Sequence, residues 1–98
     1  MVDDMITYRA MYKYLDDAVH AEVLDFPGAI TCGRDLEEAR RLLRSALADM
    51  AETTLQHGEP LPLPNESATD PESDLEEPIH LLLQAATHVV ELPQDSPA

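Results

Sequence analysis

The stretch "LDFPGAITCGRDLEEARRLL", Leu24 to Leu43, holds a turn, a short extended run and a helix start. Pro27 lacks a backbone donor and Gly28 admits positive φ, so "DFPG" ends the strand that precedes it. "AITCG" then reads as a third strand of four or five residues that stops at Gly33. Beyond it, Asp35 is placed to accept from the free N–H groups of a first helical turn, and Glu38 completes a capping-box spacing. Apolar residues follow at 36, 39, 42, 43, 46, 47, 50, 51 and 55, the stripe of a long amphipathic helix. Glu37 and Glu38 suit the positive end of its dipole, and Gly58 is a candidate for its C-terminal cap.

Working back towards the N-terminus, "MITYRAMYKYL" alternates. Ile6, Tyr8, Ala10, Tyr12 and Tyr14 share one face; Thr7, Arg9, Met11 and Lys13 share the other. That period, with aromatic and β-branched content, predicts a half-buried strand. "DD" at 16–17 serves as a turn, and "AVHAEVL" alternates again, so the two runs form an antiparallel hairpin. Towards the C-terminus, "EPLPLPN" cannot continue the helix and is expected to run extended along the body. Residues 65–78 are acidic and proline-interrupted, which predicts a flexible loop. Residues 79–92 fit either an extended segment that completes the sheet or a helix; a sheet otherwise left with an open edge favours the first. Residues 93–98 are expected to be a disordered tail. The fold class is therefore α+β, a small antiparallel sheet of three to four strands packed on one long helix.

Charge narrows the function. The chain of 98 residues carries a net charge of −14. All six basic residues lie within 1–44, against nine acids; residues 45–98 hold eleven acids and no Lys or Arg. Such a surface repels a phosphate backbone, so direct DNA binding is not expected, whereas a basic protein is attracted. Cys32 is the single cysteine, which excludes an internal disulfide and fits a reducing compartment. No stretch resembles a signal peptide or a membrane span, so a cytoplasmic, membrane-free protein is expected.

The same residues argue against catalysis. A β-β-β-α order invites comparison with ribonuclease-H-like nucleases, yet between Met5 and Leu15 the first strand has no Asp or Glu for a two-metal site. His20, His57, His80 and His88 show no metal-ligand spacing, and Cys32 has no nearby partner, so neither metal nor cofactor is expected. A lone cysteine on a short strand reads as a small buried hydrophobe. Gly28 and Gly33 are too sparse for a phosphate-binding loop. The tyrosines at 8, 12 and 14 suggest a base-stacking sheet only if a basic rim surrounds them, and a core stripe is the simpler reading.

"DFPGAITCGRDLEEA" resembles the signature of HicB-type antitoxins, carried here by Asp25, Phe26, Pro27, Gly28, Gly33, Asp35, Glu38 and Ala39. "HGEPLPLP" (57–64), with Gly58 and Pro60, resembles the segment that follows the helix in that family, and the likeness spans about residues 5–64. It implies a domain core over residues 1–64 with a degraded, non-catalytic ribonuclease-H-like β-β-β-α-β fold. It also implies an antitoxin that binds and neutralises a small basic HicA-like toxin ribonuclease. Many members carry a C-terminal DNA-binding domain; the last 34 residues here contain no Lys or Arg, so that role is not implied. The alternative reading is a remnant ribonuclease-H-like nuclease or a single-stranded RNA-binding domain. Asp16, Asp17 and Glu22 on the hairpin, with Asp25 beside it, form the candidate partner-binding surface. The open sheet edge and small core further predict a homodimer or larger assembly.

Overall fold

The alternating run near the N-terminus becomes the centre of the sheet. In the computed structural model, which describes residues 4–84 and 88–90, β1 (Asp4–Tyr14) pairs with β2 (Val19–Val23) on one side and β4 (Leu75–Gln84) on the other. β2 pairs in turn with β3 (Ile30–Gly33), and β4 with β5 (His88–Val90). Every pairing is antiparallel, in the order β3-β2-β1-β4-β5. The helix α1 (Leu36–Gln56) follows β3 and covers one face. The fold is α+β, with the expected β-β-β-α-β order extended by a short fifth strand.

Each strand contributes alternate residues to the core. Tyr8, Ala10 and Tyr12 from β1, Val19, Ala21 and Val23 from β2, and Ile79 and Leu81 from β4 are buried. They pack with Ala39, Leu43, Leu47 and Ala51 of α1, residues spaced four apart on one helical face. Phe26, just before Pro27, meets the Tyr8 ring edge-on at a centroid distance of 5.3 Å. Of the three tyrosines on this strand, Tyr8 and Tyr12 belong to the core and Tyr14 is half exposed.

The opening motif is architecture. Gly28 has φ +96°, and an added Cβ would lie 2.7 Å from Met50 Cε. At Gly33 a Cβ would fall 2.6 Å from the Ala39 backbone nitrogen, so the glycine lets the helix start directly over the edge strand. Asp35 Oδ1 accepts from the Glu38 N–H at 2.8 Å. Glu38 Oε1 accepts from the Arg34 N–H at 2.9 Å, so the reciprocal arm of the cap reaches one residue further back than the usual capping box. The helix closes at His57, and Gly58 takes φ +74° while donating to the Leu55 carbonyl.

Two expectations change. Of the alternatives for residues 79–92, the described part is extended, and β4 begins at Leu75, inside the stretch read as a loop over 65–78. Leu75, Glu77, Ile79, Leu81 and Leu83 all take the helix-facing side, an alternation that runs straight through Pro78. Residues 65–74, expected to be flexible, are tied down. The Asn65 N–H donates to Asp25, Arg9 donates to the Glu66 carbonyl, Lys13 to the Glu72 carbonyl, and the Asp74 N–H to the Tyr12 carbonyl. The segment shelters Met11, which is only 2% exposed although it points away from α1. Residues 91–92 and the 93–98 tail lie outside the described residues.

Candidate partner-binding surface

Asp16 and Asp17 occupy the β1–β2 turn, both exposed, where the Leu15 N–H donates to the Ala18 carbonyl at 2.8 Å. No salt bridge reaches either carboxylate among the described residues. Tyr14 and Leu15 beside them are large, apolar and half exposed. The tip therefore sets two carboxylates without an ion pair beside the half-exposed Tyr14 and Leu15, and tyrosine is a residue type enriched among interface hot spots.

Glu22 lies on the outer face of the sheet, away from α1. Its Oε1 contacts His20 Nε2 at 2.9 Å, so this acid already has a partner on its own strand. Asp25 sits beyond the opposite end of β2 and is not part of the tip. Its Oδ1 accepts from the Arg9 N–H and its Oδ2 from the Asn65 N–H, each at 2.9 Å. Both oxygens are committed to joining the turn, the central strand and the 65–74 segment. The structure thus brings Asp16 and Asp17 together, keeps Glu22 on the outer face, and gives Asp25 a structural role.

Among the described residues, several other charges are paired internally, whereas the carboxylates of Glu37, Asp49, Glu52, Glu59 and Glu66 join none of these pairs. Arg40 Nε and Nη2 donate to both oxygens of Glu77, at 2.9 and 2.8 Å. These bonds, and one from Tyr12, hold the Glu77 carboxyl below its usual range, while burial and Glu77 raise the Tyr12 phenol. Glu76 accepts from the Asp70 N–H and the Thr69 hydroxyl, which lowers its carboxyl, and it pairs with Arg9 at 3.6 Å. Lys13 pairs with Glu72, and Arg34 and Arg41 share Glu38. Tyr8, whose hydroxyl donates to the Pro62 carbonyl at 2.8 Å, is pushed up to about 12 by burial and by nearby Asp25.

Among the described residues no group of three or more His, Cys, Asp or Glu is arranged to hold a metal ion. Cys32, expected to be buried, is exposed, because it lies on the outer face of an edge strand where nothing packs over it. No described helix is long and apolar enough to cross a membrane. Sequence reasoning missed the Arg40–Glu77 pair and both anchors of Asp25; each joins positions far apart in the chain, and no local pattern marks any of them.

A family model described as UPF0150-like matches residues 7–62. The chain belongs to the UPF0150-like family. The matched span runs from β1 through the helix to Pro62, whose carbonyl Tyr8 engages, so the UPF0150-like segment is a continuous structural body. No curated protein matches the chain.

Proposed function

We propose that this UPF0150-like protein is a HicB-like antitoxin-type protein that binds and neutralises a small basic HicA-like toxin ribonuclease, without catalysis of its own. The observation that carries this reading is the hairpin tip, where Asp16 and Asp17 stand free of internal counter-charge beside exposed Tyr14 and Leu15. Carboxylates presented where RNA phosphates otherwise lie compete for the same cationic groups, and apolar neighbours give the contact its residence time. The motif from Asp25 to Ala39, similar to that of HicB-type antitoxins, and the family match over 7–62 support it. The eleven acids and absent cations of residues 45–98 favour a basic protein over an operator as the partner. The test is reconstitution with a HicA-like ribonuclease: a stoichiometric complex and suppressed RNA cleavage are expected. Undiminished cleavage with the chain in about tenfold excess over a roughly micromolar toxin overturns the reading.

A further inference from the structure

β4 has one edge left open and a cation beside it. β5 pairs with β4 only from Leu82 to Gln84, so among the described residues no strand covers that side of β4 from Leu75 to Leu81. Against this stretch lies a cavity of about 170 Å³, lined by Tyr12, Arg40 and Arg44 together with residues 77–80. Arg9, Lys13, Arg34, Arg40 and Arg41 each pair with a carboxylate among the described residues; Arg44, the last of the six Lys and Arg, pairs with none. Its Nε is buried without a hydrogen-bond partner among those residues. Glu77, the acid of the cavity, already accepts from Arg40 through both oxygens, and a buried N–H of a charged group left without an acceptor is destabilising.

We propose that the chain's own residues 91–95 close this edge, carrying the β5 ladder on along β4 and setting the Asp95 carboxylate on the Arg44 guanidinium. Continuity names the occupant. Val90 stands opposite Leu82 in an antiparallel pair, so each residue after it advances towards the cavity. Continued pair by pair, that register sets Leu92 opposite His80, Pro93 opposite Ile79, Gln94 opposite Pro78 and Asp95 opposite Glu77. Within the span that meets the cavity, Leu92 to Asp95, Asp95 is the one acid. Residues directly opposite share a face of the sheet, so Asp95 falls on the α1 side with Glu77, where Arg40 and Arg44 stand.

The backbone of β4 suits this pairing. Arg9 donates its N–H to Asp25 and its carbonyl accepts from Leu24, both on the β2 side. Pro78, opposite Arg9, therefore turns its backbone away from β1 to the open edge, where its missing N–H breaks nothing in the β1–β4 ladder. By the same alternation the N–H and carbonyl of His80 point to that edge, and Leu92 is the residue placed to exchange both bonds with it. Pro93 falls at the intervening pair, Ile79, where antiparallel pairing asks for no N–H. Charge also separates a tethered segment from a separate partner. A free acidic chain meets the net charge of −14, whereas residues joined to Val90 are held beside Arg44 at high local concentration.

NMR of the full chain tests this directly. Hα–Hα cross-peaks are expected between Ile79 and Pro93 and between Glu77 and Asp95, because α-carbons in such pairs stand about 4.5 Å apart. The His80 amide is expected to exchange slowly, as a bonded ladder N–H does. Asp95→Asn removes the counter-charge, so exchange of the Arg44 Nε–H is expected to quicken by about tenfold, while Glu91→Gln, outside the span that meets the cavity, leaves it unchanged. Missing cross-peaks, a His80 amide that exchanges as fast as an exposed one, or an Arg44 signal indifferent to Asp95→Asn each overturns the proposal. Cross-peaks that arise only between differently labelled chains in a mixed sample overturn it too, since they give the edge to a second copy.

Discussion

Two acidic regions of this molecule look alike in composition and behave oppositely. The turn at Asp16–Asp17 leaves its carboxylates to solvent, whereas the acids between 66 and 77 are largely consumed within the fold. Glu72 meets Lys13, Glu76 meets Arg9, Thr69 and Asp70, and Glu77 meets Arg40 through both oxygens. A formal charge counts every carboxylate equally, but a carboxylate already bonded within the fold must give up or share that donor to bind a partner closely. The tip contributes few of the twenty acids and yet offers two that are uncommitted beside an apolar anchor.

The sharpest way to separate committed from free acids is to remove one of each. Asp25→Ala strips the acceptor from the N–H groups of Arg9 and Asn65 and detaches the turn from β1. The expected loss is about 2–3 kcal/mol, a fall in Tm of roughly 10 °C or more in thermal unfolding. Asp25→Asn keeps one carbonyl acceptor and is expected to fall between parent and alanine variant. An unchanged Tm for Asp25→Ala would place Asp25 with the free acids.

Glu77 comes next. Its carboxyl is held below the ordinary 4.5 by Arg40, so its stabilising contribution is present above that value and is lost as pH falls through the folded-state pKa. Glu77→Gln is expected to cost about 1–2 kcal/mol at neutral pH and to flatten the acid limb of the stability curve below about pH 4.5. Urea titrations at pH 3.5, 4.5 and 7 measure both effects. Tyr8 gives the alkaline counterpart. Its phenol is neutral in the fold up to about 12, so stability from its burial is present below its ordinary 10 and fades as pH rises from there. Tyr8→Phe removes the bond to the Pro62 carbonyl for about 1 kcal/mol and is expected to lessen that alkaline loss.

These contrasts also explain which features were legible in the chain. The helix and its cap were, because Asp35, Glu38 and the apolar stripe act over one to four residues. The first hairpin was, because alternation alone assigns its faces. The start of β4 was hidden: Glu76, Glu77 and Pro78 have the composition of a loop, and only Arg40, 37 positions earlier, makes a core-facing Glu77 tolerable. From sequence alone Asp25 looks like Asp16 and Asp17 for a similar reason. All three are acids near turns, and what distinguishes Asp25 is a backbone donor 16 residues back and another 40 residues on. Cys32 showed the reverse failure, since a residue type that is usually buried landed on the uncovered face of an edge strand.

The smallest effect on stability belongs to the tip and is the most informative about function. Changing Asp16, Asp17 and Glu22 together to Lys touches two exposed turn residues and one pair with His20. Its effect on Tm is expected to stay within the shift produced by about 0.5–1 kcal/mol, since surface pairs contribute little. Association with a basic partner responds differently. Long-range attraction accelerates encounter and is screened by salt, so the parent is expected to associate faster at low ionic strength, and the variant to associate more slowly with a flatter salt dependence. Tyr14→Ala supplies the complement: it leaves the charges in place, so its loss is expected in the dissociation rate rather than the association rate. Stopped-flow mixing with a HicA-like ribonuclease at two ionic strengths separates the two. If the triple variant associates as fast as the parent at low salt, the partner lands elsewhere on the molecule, and the free carboxylates of the turn serve solubility alone.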